Sequence, residues 1–373
     1  MGNDGVYAQA PRGVKHTYPM KILDRYIGWN IIAATATVLL VLVSIFTFFA
    51  FIDQLDDLGR GTYGLGKIVL FVLFSVPTLT YELFPMAALI GSLIGFGTMM
   101  RNGELAVIRC VGVSKGRVVY AVIKAGMVLL VSAMLVGEFI APPAERFARD
   151  YRSLAINERV TFKSENGFWA RDGDSYINIR EILPGDQLRD VFIYEFDAEN
   201  RLRLSTHAEF ARYTNQEWML ENISQTLLKD DGLERRTLPE AAWDSILKPD
   251  LLQMVTINPD SLSIWSLAKY SRFLRTNGQN AQRYEHVMWL KITYPIATVV
   301  MVVLAVPMVL RASRSVTVGQ RVLVGALIGL GFHLLNQAAG HIGVVYEILP
   351  VLSATGPALM MGLVAAWLLA RTP

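Results

Sequence analysis

The chain has 373 residues, of which 53% are hydrophobic and only 18% are charged, and its formal net charge is +3. Soluble domains have about 25% charged residues, so this composition argues against an ordinary soluble protein. The small net charge sits near helix ends and gives no reason to expect nucleic acid as a partner. With Cys110 as the only cysteine, no intramolecular disulfide is expected.

Residues 1–19 have no apolar segment of the kind found in signal peptides, so we expect a cytoplasmic tail here. Recognisable structure begins at Met20, with the sequence MKILDRYIG. Met20 is therefore also an alternative start, and the sequence leaves both interpretations open.

Six apolar runs predict six membrane-spanning helices, three on each side of a polar block. They lie at residues 30–52, 68–100, 118–141, 292–310, 322–339 and 350–370. The second run is too long for a straight span at about 1.5 Å per residue. We expect it to tilt or kink, with Pro77 and Pro85 as the causes.

Basic residues of the short loops fall mainly on one side of the predicted spans. That side holds Arg12, Lys15, Lys21, Arg25, Arg101, Arg109, Lys115, Arg117, Arg311, Arg314, Arg321 and Arg371. The other side has Arg60 and Lys67 in its first loop and nothing basic between His341 and Leu349. The positive-inside rule therefore predicts cytoplasmic termini and an outward-facing polar block.

The polar block, from about residue 142 to residue 289, has the alternating pattern of strands, as in RLRL at residues 201–204. Its spacing predicts an all-β sandwich, jelly roll or open barrel, followed by a helical connector from about residue 261. The predicted fold class is a polytopic α-helical membrane protein with an inserted jellyroll-like β domain. Its parts are spans one to three in residues 20–144, the β domain in 145–285 and spans four to six in 286–373.

The segment GTYGLGKI at residues 61–68 nearly matches the phosphate-binding loop of nucleotide hydrolases, G-x-x-x-x-G-K-[ST]. That loop needs a strand before it and a hydroxyl that holds Mg²⁺. Here a predicted span precedes the segment and Ile68 replaces the hydroxyl residue. We expect a tight glycine turn and no ATP hydrolysis. No zinc-binding histidine pair, nucleophile elbow or Cys/His cluster appears, so we expect neither an enzyme nor a metal site.

Three groups of charged or polar residues near the bilayer are candidate sites. The first is the loop helix at residues 101–112, with Asn102 as its predicted cap and Gly112 as its end. Its spacing fits both a helix on the membrane surface and a coupling helix in a partner's groove. Its candidate residues are Glu104, Leu105, Ile108, Arg109, Val111 and Gly112, of which Leu105, Ile108 and Val111 share one predicted face.

The second candidate is a basic stripe in the segment that leaves the third span, formed by Arg146, Arg149 and Arg152. These side chains either anchor the helix to lipid headgroups or bind the phosphates of an anionic lipid. The third candidate is Glu82 in the second span. His333, Asn336 and Gln337 of the fifth span either line the same cavity as Glu82 or form hydrogen bonds between helices.

Several segments together resemble the LptF/LptG family of lipopolysaccharide export permeases, and are closer to its LptG branch. They are LDRYIG (23–28), DQL (53–55), FPMAALIGSLIGFGTM (84–99), GELAVIRCVGVS (103–114), GEFIAPPAE (137–145), NPDSLSI (258–264), RY (283–284) and RSVTVGQRV (314–322). The resemblance runs in order from about residue 20 to the end of the chain.

This resemblance implies a subunit of an inner-membrane ABC transporter that extracts lipopolysaccharide from the outer leaflet. A homologous LptF would complete the cavity, and an LptB dimer would hydrolyse ATP with Mg²⁺, so this chain itself would bind no cofactor. The transmembrane helix and β-jellyroll of LptC, and then the LptA bridge, would receive the lipid.

The resemblance also assigns roles to residues. It makes 104–112 the helix that contacts LptB, places Arg149 and Arg152 near the lipid phosphates, and makes spans one and five lateral gates. The cavity or gate candidates are Ala50, Asp53, Glu82, Phe84, His333 and Gln337. One departure concerns the outer end of span one, where some relatives carry lysines and this chain has Ala50, Asp56 and Asp57. There the arginine stripe takes a larger share of the phosphate contacts, or divalent cations bridge the two aspartates to phosphate.

Two other classes of function are alternatives to transport. A membrane-embedded lipid-modifying enzyme would need catalytic side chains clustered at one depth, and the sequence has scattered single groups. A scaffold or sensor subunit of a mechanotransmitting ABC complex would have no enclosed cavity and no lipid that co-purifies with it.

Overall fold

The structure is a computed structural model of the full chain. It describes residues 21–156, 162–172, 175–183, 187–197, 199, 201–214, 217–229, 232–243, 249, 259–277, 279–311 and 316–372. The helices are α1 (Lys21–Gln54), α2 (Leu65–Arg101), α3 (Glu104–Cys110), α4 (Lys115–Leu135), α5 (Ala141–Ile156), α6 (Ile264–Thr276), α7 (Gln282–Arg311), α8 (Val318–Val345) and α9 (Pro350–Ala370). The predicted tail at residues 1–19 lies outside the described residues.

Six helical units in the described chain are long and apolar enough to cross a membrane, which confirms the predicted number of spans. The third unit is longer than predicted, because α4 continues through a π-helical turn at Val136–Ile140 into α5. The described helix ends at Ile156, and the first strand begins at Phe162. The predicted start of the β domain at residue 145 therefore falls inside a helix.

The α2 helix is the centre of the membrane bundle. It packs against α1, α5, α7 and α8, and its second half is almost continuously buried. Pro77 and Pro85 both lie inside this helix, as the sequence predicted. Each proline removes a backbone N–H and crowds the preceding turn, so α2 has two weak points, one in its first half and one near its middle.

The loop between α1 and α2 docks on the end of α5. The backbone N–H of Thr62 donates to the carbonyl oxygen of Ala155 at 2.8 Å. Gly61 has φ +55, and a Cβ at this position would lie 2.6 Å from the same oxygen. The ammonium of Lys67 donates to the hydroxyl of Thr62 at 2.7 Å. Gly61 and Lys67 of the GTYGLGKI segment thus have structural roles in a docked turn.

The polar block contains a six-stranded antiparallel sheet, which confirms the inserted β domain. The strands are β1 (Phe162–Asp172), β2 (Ser175–Leu183), β3 (Gln187–Phe196), β4 (Leu202–Thr214), β5 (Glu217–Lys229) and β6 (Gly232–Trp243). They pair in the order of the sequence. The described strands therefore form a meander, without the crossover connections of a complete jelly roll.

In a regular strand, inward-facing and outward-facing side chains alternate. In this sheet the alternation shifts by one residue at a line that crosses the strands, yet the sheet keeps one apolar core. Ile179 and Ile182 would face opposite sides of a regular strand, yet both belong to the same core. The strand pairing skips one position along this line, at Arg180, Asp190, Glu209, Asn222 and Pro239. Asp190 and Asn222 there have φ of 53 and 55. This irregularity turns the backbone so that one face is apolar on both sides of the line.

We expect Gly61→Ala to destabilise the protein, since it combines a left-handed backbone with a contact to the carbonyl of Ala155. The cost expected is about 1–3 kcal/mol, seen as a lower midpoint of thermal unfolding for the purified protein. Gly66→Ala is the matched control: it lies in the first turn of α2, with open space around its Cβ. An unchanged midpoint for Gly61→Ala would contradict the docked turn.

Candidate functional site

A cavity of about 750 Å³ lies between α2, the π-helical turn, α7 and α8, in the half of the bundle nearer the sheet. Its walls combine apolar and aromatic side chains with ionisable groups of both signs. Those groups are Glu82, Asp260, Arg283, His286, Lys291, His333 and His341. Ionisable residues inside a bilayer are costly, so such a concentration indicates a functional cavity.

The structure brings together four of the residues that the sequence singled out. Glu82, His333, Asn336 and Gln337 all line this cavity. Three other gate candidates do not line it. Phe84 is buried in the apolar core of the bundle, while Ala50 and Asp53 lie near the C-terminal end of α1. Their roles in transport remain predictions.

Lys291 is the buried cation of the cavity wall, with 9% of its surface exposed. Its ammonium lies 6.0 Å from the centre of the Tyr81 ring. The hydroxyl of Tyr81 donates to the backbone carbonyl of Lys291 at 2.9 Å and its ring stacks on Tyr294 at 5.7 Å. The sequence analysis missed Lys291, because it lies one residue before the predicted apolar run at 292–310, although the helix itself begins earlier, at Gln282.

Asn336 presents a buried amide to the cavity. It is 4% exposed and interacts with the side chain of Tyr294, but neither amide atom makes a hydrogen bond of ordinary geometry in the described chain. A buried amide without partners costs about 1–3 kcal/mol. Water or a ligand group in the cavity would remove this cost.

The π-helical turn between α4 and α5 places Glu138 against α6. Both carboxylate oxygens of Glu138 accept from the backbone N–H of Ile264, at 3.1 and 3.0 Å. Tyr81 packs so closely here that a Cβ at Gly137 would lie 2.4 Å from its ring. A carboxylate is favourable at a helix N-terminus because it complements the helix dipole. Sequence analysis missed Glu138, since no local pattern joins it to a helix 126 residues away.

The α6 helix joins the membrane bundle to the sheet. At its start, Ser263 caps the helix and Arg146 donates to the hydroxyl of Ser266 at 3.4 Å. Near its end, Phe273 packs against the core of the sheet. Just beyond it, the amide of Gln279 donates to the carbonyl of Trp169 at 3.2 Å. The predicted helical connector is therefore a physical link between the two parts.

The arginine stripe is less uniform than its spacing implied. Arg146 reaches α6, and Arg149 pairs with Glu145 on its own helix at 2.8 Å. Arg152 pairs with Asp57 in the docked loop, and Asp57 also accepts from Arg60 at 2.6 Å. The three side chains thus go to three separate partners. Because Asp57 already neutralises arginines, the structure gives no support to the expected cation bridge through Asp56 and Asp57.

The residues of α3 that the structure leaves exposed are not the ones that the sequence predicted to share a face. Leu105 is 5% exposed, and Ile108 packs with it against the core of the bundle, so neither is available to a partner. Val107 and Val111 are 62% and 78% exposed and, with Arg109, form the outward surface. The hydrophobic spacing identified the side that holds α3 to its own bundle for Leu105 and Ile108, but Val111, which was predicted to share that side, is exposed.

The ends of α3 are set by two glycines. Gly103, with φ 77, occupies the N-cap position in place of the predicted Asn102. Asn102 instead donates to the carboxylate of Glu104 at 3.1 Å. Gly112, with φ +85, ends the helix as predicted: its N–H bonds to Arg109, and the N–H of Val113 bonds to Ile108.

Glu104 also ties α3 to the first span. The hydroxyl of Tyr26 donates to its second carboxylate oxygen at 2.8 Å. Glu104 is therefore half-buried between two donors and is not a freely exposed charge.

Known proteins resemble this chain over almost its whole length. The family model described as lipopolysaccharide export system permease LptF/LptG matches residues 25–371. The LptG protein of Haemophilus influenzae is 36% identical over 352 residues, covering 94% of this chain and 98% of the relative. The LptG protein of Escherichia coli K12 is 33% identical over 356 residues, covering 95% and 99%.

Replacing Glu138 by Ala should loosen the start of α6, because the N–H of Ile264 loses its acceptor. We expect amide hydrogen exchange at residues 264–267 to become about 5- to 30-fold faster, matching about 1–2 kcal/mol for a lost cap. Exchange in β3 and β4 serves as the internal control and should stay unchanged. Unaltered exchange at the start of α6 would show that Glu138 does not hold the helix.

Proposed function

This chain belongs to the LptF/LptG family of lipopolysaccharide export system permeases, and we propose that it is the LptG-type permease subunit of an ABC transporter. In this role it extracts lipopolysaccharide from the outer leaflet of the inner membrane and passes it toward the periplasmic bridge. The observation that carries the proposal is the mixed apolar and charged cavity between α2, α7 and α8, beside the part of the chain that leads to the sheet.

The proposed assembly supplies what this chain lacks. LptF completes the transport cavity as a pseudo-symmetric partner, with α1 and α8 at the lateral gates. An LptB dimer binds ATP and Mg²⁺, and LptC followed by LptA accepts the lipid. The chain lies in the inner membrane with both termini cytoplasmic and the sheet in the periplasm, an orientation supported by the basic residues of the short loops.

An external energy source is a physical requirement of this function. Removing acyl chains from a bilayer costs about 0.8 kcal/mol per CH₂ group, far more than thermal exchange supplies for a lipid with several chains. Apolar cavity walls that rebind the chains lower the cost of each step. ATP hydrolysis in the partner gives the movement its direction.

We assign the entry point of this energy to α3. Leu105 and Ile108 fix the helix to the bundle, while Val107, Arg109 and Val111 face outward, away from their own bundle. Such a helix is too short to be stable alone, and here its own bundle holds it. A partner that pushes on the outward surface therefore moves the bundle and not a loose loop.

Glu104→Lys tests this assignment. We expect at least about a fivefold loss of ATP-driven lipopolysaccharide release in proteoliposomes, the range of a coupling energy above 1 kcal/mol. Lipopolysaccharide binding without ATP should be retained. Unchanged release would remove Glu104 from the coupling site.

Tyr26→Phe is the matched control for Glu104→Lys. It deletes the hydroxyl that donates to Glu104 but leaves the carboxylate in place for a partner. We expect near-normal release. An equal loss in both variants would mean that Glu104 acts by holding α3 to α1.

Arg149 is the arginine of the stripe best placed to bind a lipid phosphate, because its carboxylate partner lies on its own helix, while Arg146 and Arg152 reach other segments. Arg149→Gln should weaken lipopolysaccharide binding by about tenfold, as for a lost hydrogen bond to a charged group. It should also lower the unfolding midpoint, because the buried Glu145 loses its arginine. Photo-crosslinking to labelled lipopolysaccharide measures the binding.

Arg152→Gln should lower the unfolding midpoint and leave lipopolysaccharide binding nearly unchanged, because its guanidinium is already engaged by the largely buried Asp57 of another segment. Arg203→Gln, at an exposed arginine of the sheet, is the control for charge alone. Equal effects of Arg149→Gln and Arg203→Gln on binding would make the stripe structural. A preparation free of lipid would favour the scaffold function instead.

A further inference from the structure

Arg321 is a buried cation whose guanidinium is largely unpartnered. It lies in the first turn of α8, at the end of the bundle away from the sheet, and only 5% of its surface is exposed. Its Nε and Nη2 atoms have no hydrogen-bond partner in the described chain. No carboxylate of the described residues forms an ion pair with it.

Gly97 of α2 provides the space for this guanidinium. A Cβ at Gly97 would lie 1.9 Å from Nη1 of Arg321, so the side chain rests directly on the α2 backbone. Arg101 follows one turn later on the same face of α2, and its positive charge acts on Arg321. Arg101 is exposed and forms no ion pair within the described residues either. Two cations therefore share this corner of the bundle without a counter-charge.

Electrostatics favour an anion at this position. An uncompensated buried charge costs several kcal/mol. The carboxyl end of α2 offers about half a negative charge through its dipole, and Arg101 adds a full positive charge nearby. The intramolecular surroundings thus leave the pair net positive.

We propose that Arg321 and Arg101 bind the phosphate of an anionic phospholipid in the leaflet on the side opposite the sheet. A guanidinium fork fits phosphate oxygens and forms charge-assisted hydrogen bonds with them. The site lies within the first turn of a spanning helix, which is the depth of lipid headgroups.

The neighbouring surface of α8 fits the acyl chains of such a lipid. Exposed apolar side chains follow Arg321 along the helix, namely Val322, Leu323, Val324 and Leu327. A carboxylate from a water-soluble partner would have to reach past the first residues of α8 to a position beside this apolar surface, which suits a lipid better. The site is distinct from the cavity near the sheet and does not depend on which lipid is transported.

The test measures thermal unfolding of the purified full-length chain in neutral detergent with added phosphatidylglycerol or phosphatidylcholine. Phosphatidylglycerol should raise the midpoint more than phosphatidylcholine does. Arg321→Met, which keeps the length of the side chain but not its charge, should raise the apparent Kd for phosphatidylglycerol at least about tenfold. Arg311→Gln, an exposed arginine at the end of α7 on the same side, should leave the Kd unchanged.

Two results would overturn the lipid assignment directly: equal stabilisation by both lipids, or an unaltered Kd in Arg321→Met. Stabilisation by inorganic phosphate alone, to the same extent, would assign the site to a free anion. If Arg321→Met instead loses co-purification with the proposed partner subunits while its lipid affinity is unaltered, the site belongs to a partner's carboxylate. If Arg321→Met fails to fold, Arg101→Gln decides, since Arg101 is exposed and its loss should still raise the Kd about threefold.

Discussion

The low dielectric of the bilayer is the constraint that organises this protein. A charge inside the bundle persists only where another group compensates it or where a ligand is expected. At the end near the sheet, Glu82 and Lys291 line the same cavity as the side chains of Tyr81 and Tyr294. At the opposite end, Arg321 has no such compensation. The same rule thus identifies a cavity at one end and an anion site at the other.

The link between bundle and sheet follows from one irregularity in a helix. A regular α-helix through residues 136–140 would rotate Glu138 away from its present position, since a π-helical turn inserts an extra residue. The carboxylate instead meets the first N–H of α6, whose far end packs on the core of the sheet. In the proposed mechanism, movement of α4 and α5 would reach the sheet through this capped helix, which is stiffer than a loop.

The sequence predicted what depends on local composition. Six spans follow from apolar runs, because only helices satisfy every backbone group in lipid, and the end of α3 follows from Gly112. Polar residues inside spans likewise identified part of the cavity, including Glu82 and Asn336. What the sequence could not predict depends on contacts between distant segments. Arg152 pairs with Asp57 across 95 residues, and the face of α3 that binds its own bundle looks the same in sequence as a face for a partner.

In the proposed mechanism, the position of the prolines would let a push on α3 reach the cavity. Leu105 packs in the same core as Phe96 and Met99 of α2, so α3 and the adjoining half of α2 move as one body. That half is tightly packed and resists bending. Pro85 deprives the carbonyl of Tyr81 of its helical N–H, and Pro77 weakens the preceding turns. Glu82 lies between these two points, so α2 is weakest where it lines the cavity, and in the proposed mechanism a displacement of α3 would change the cavity's shape.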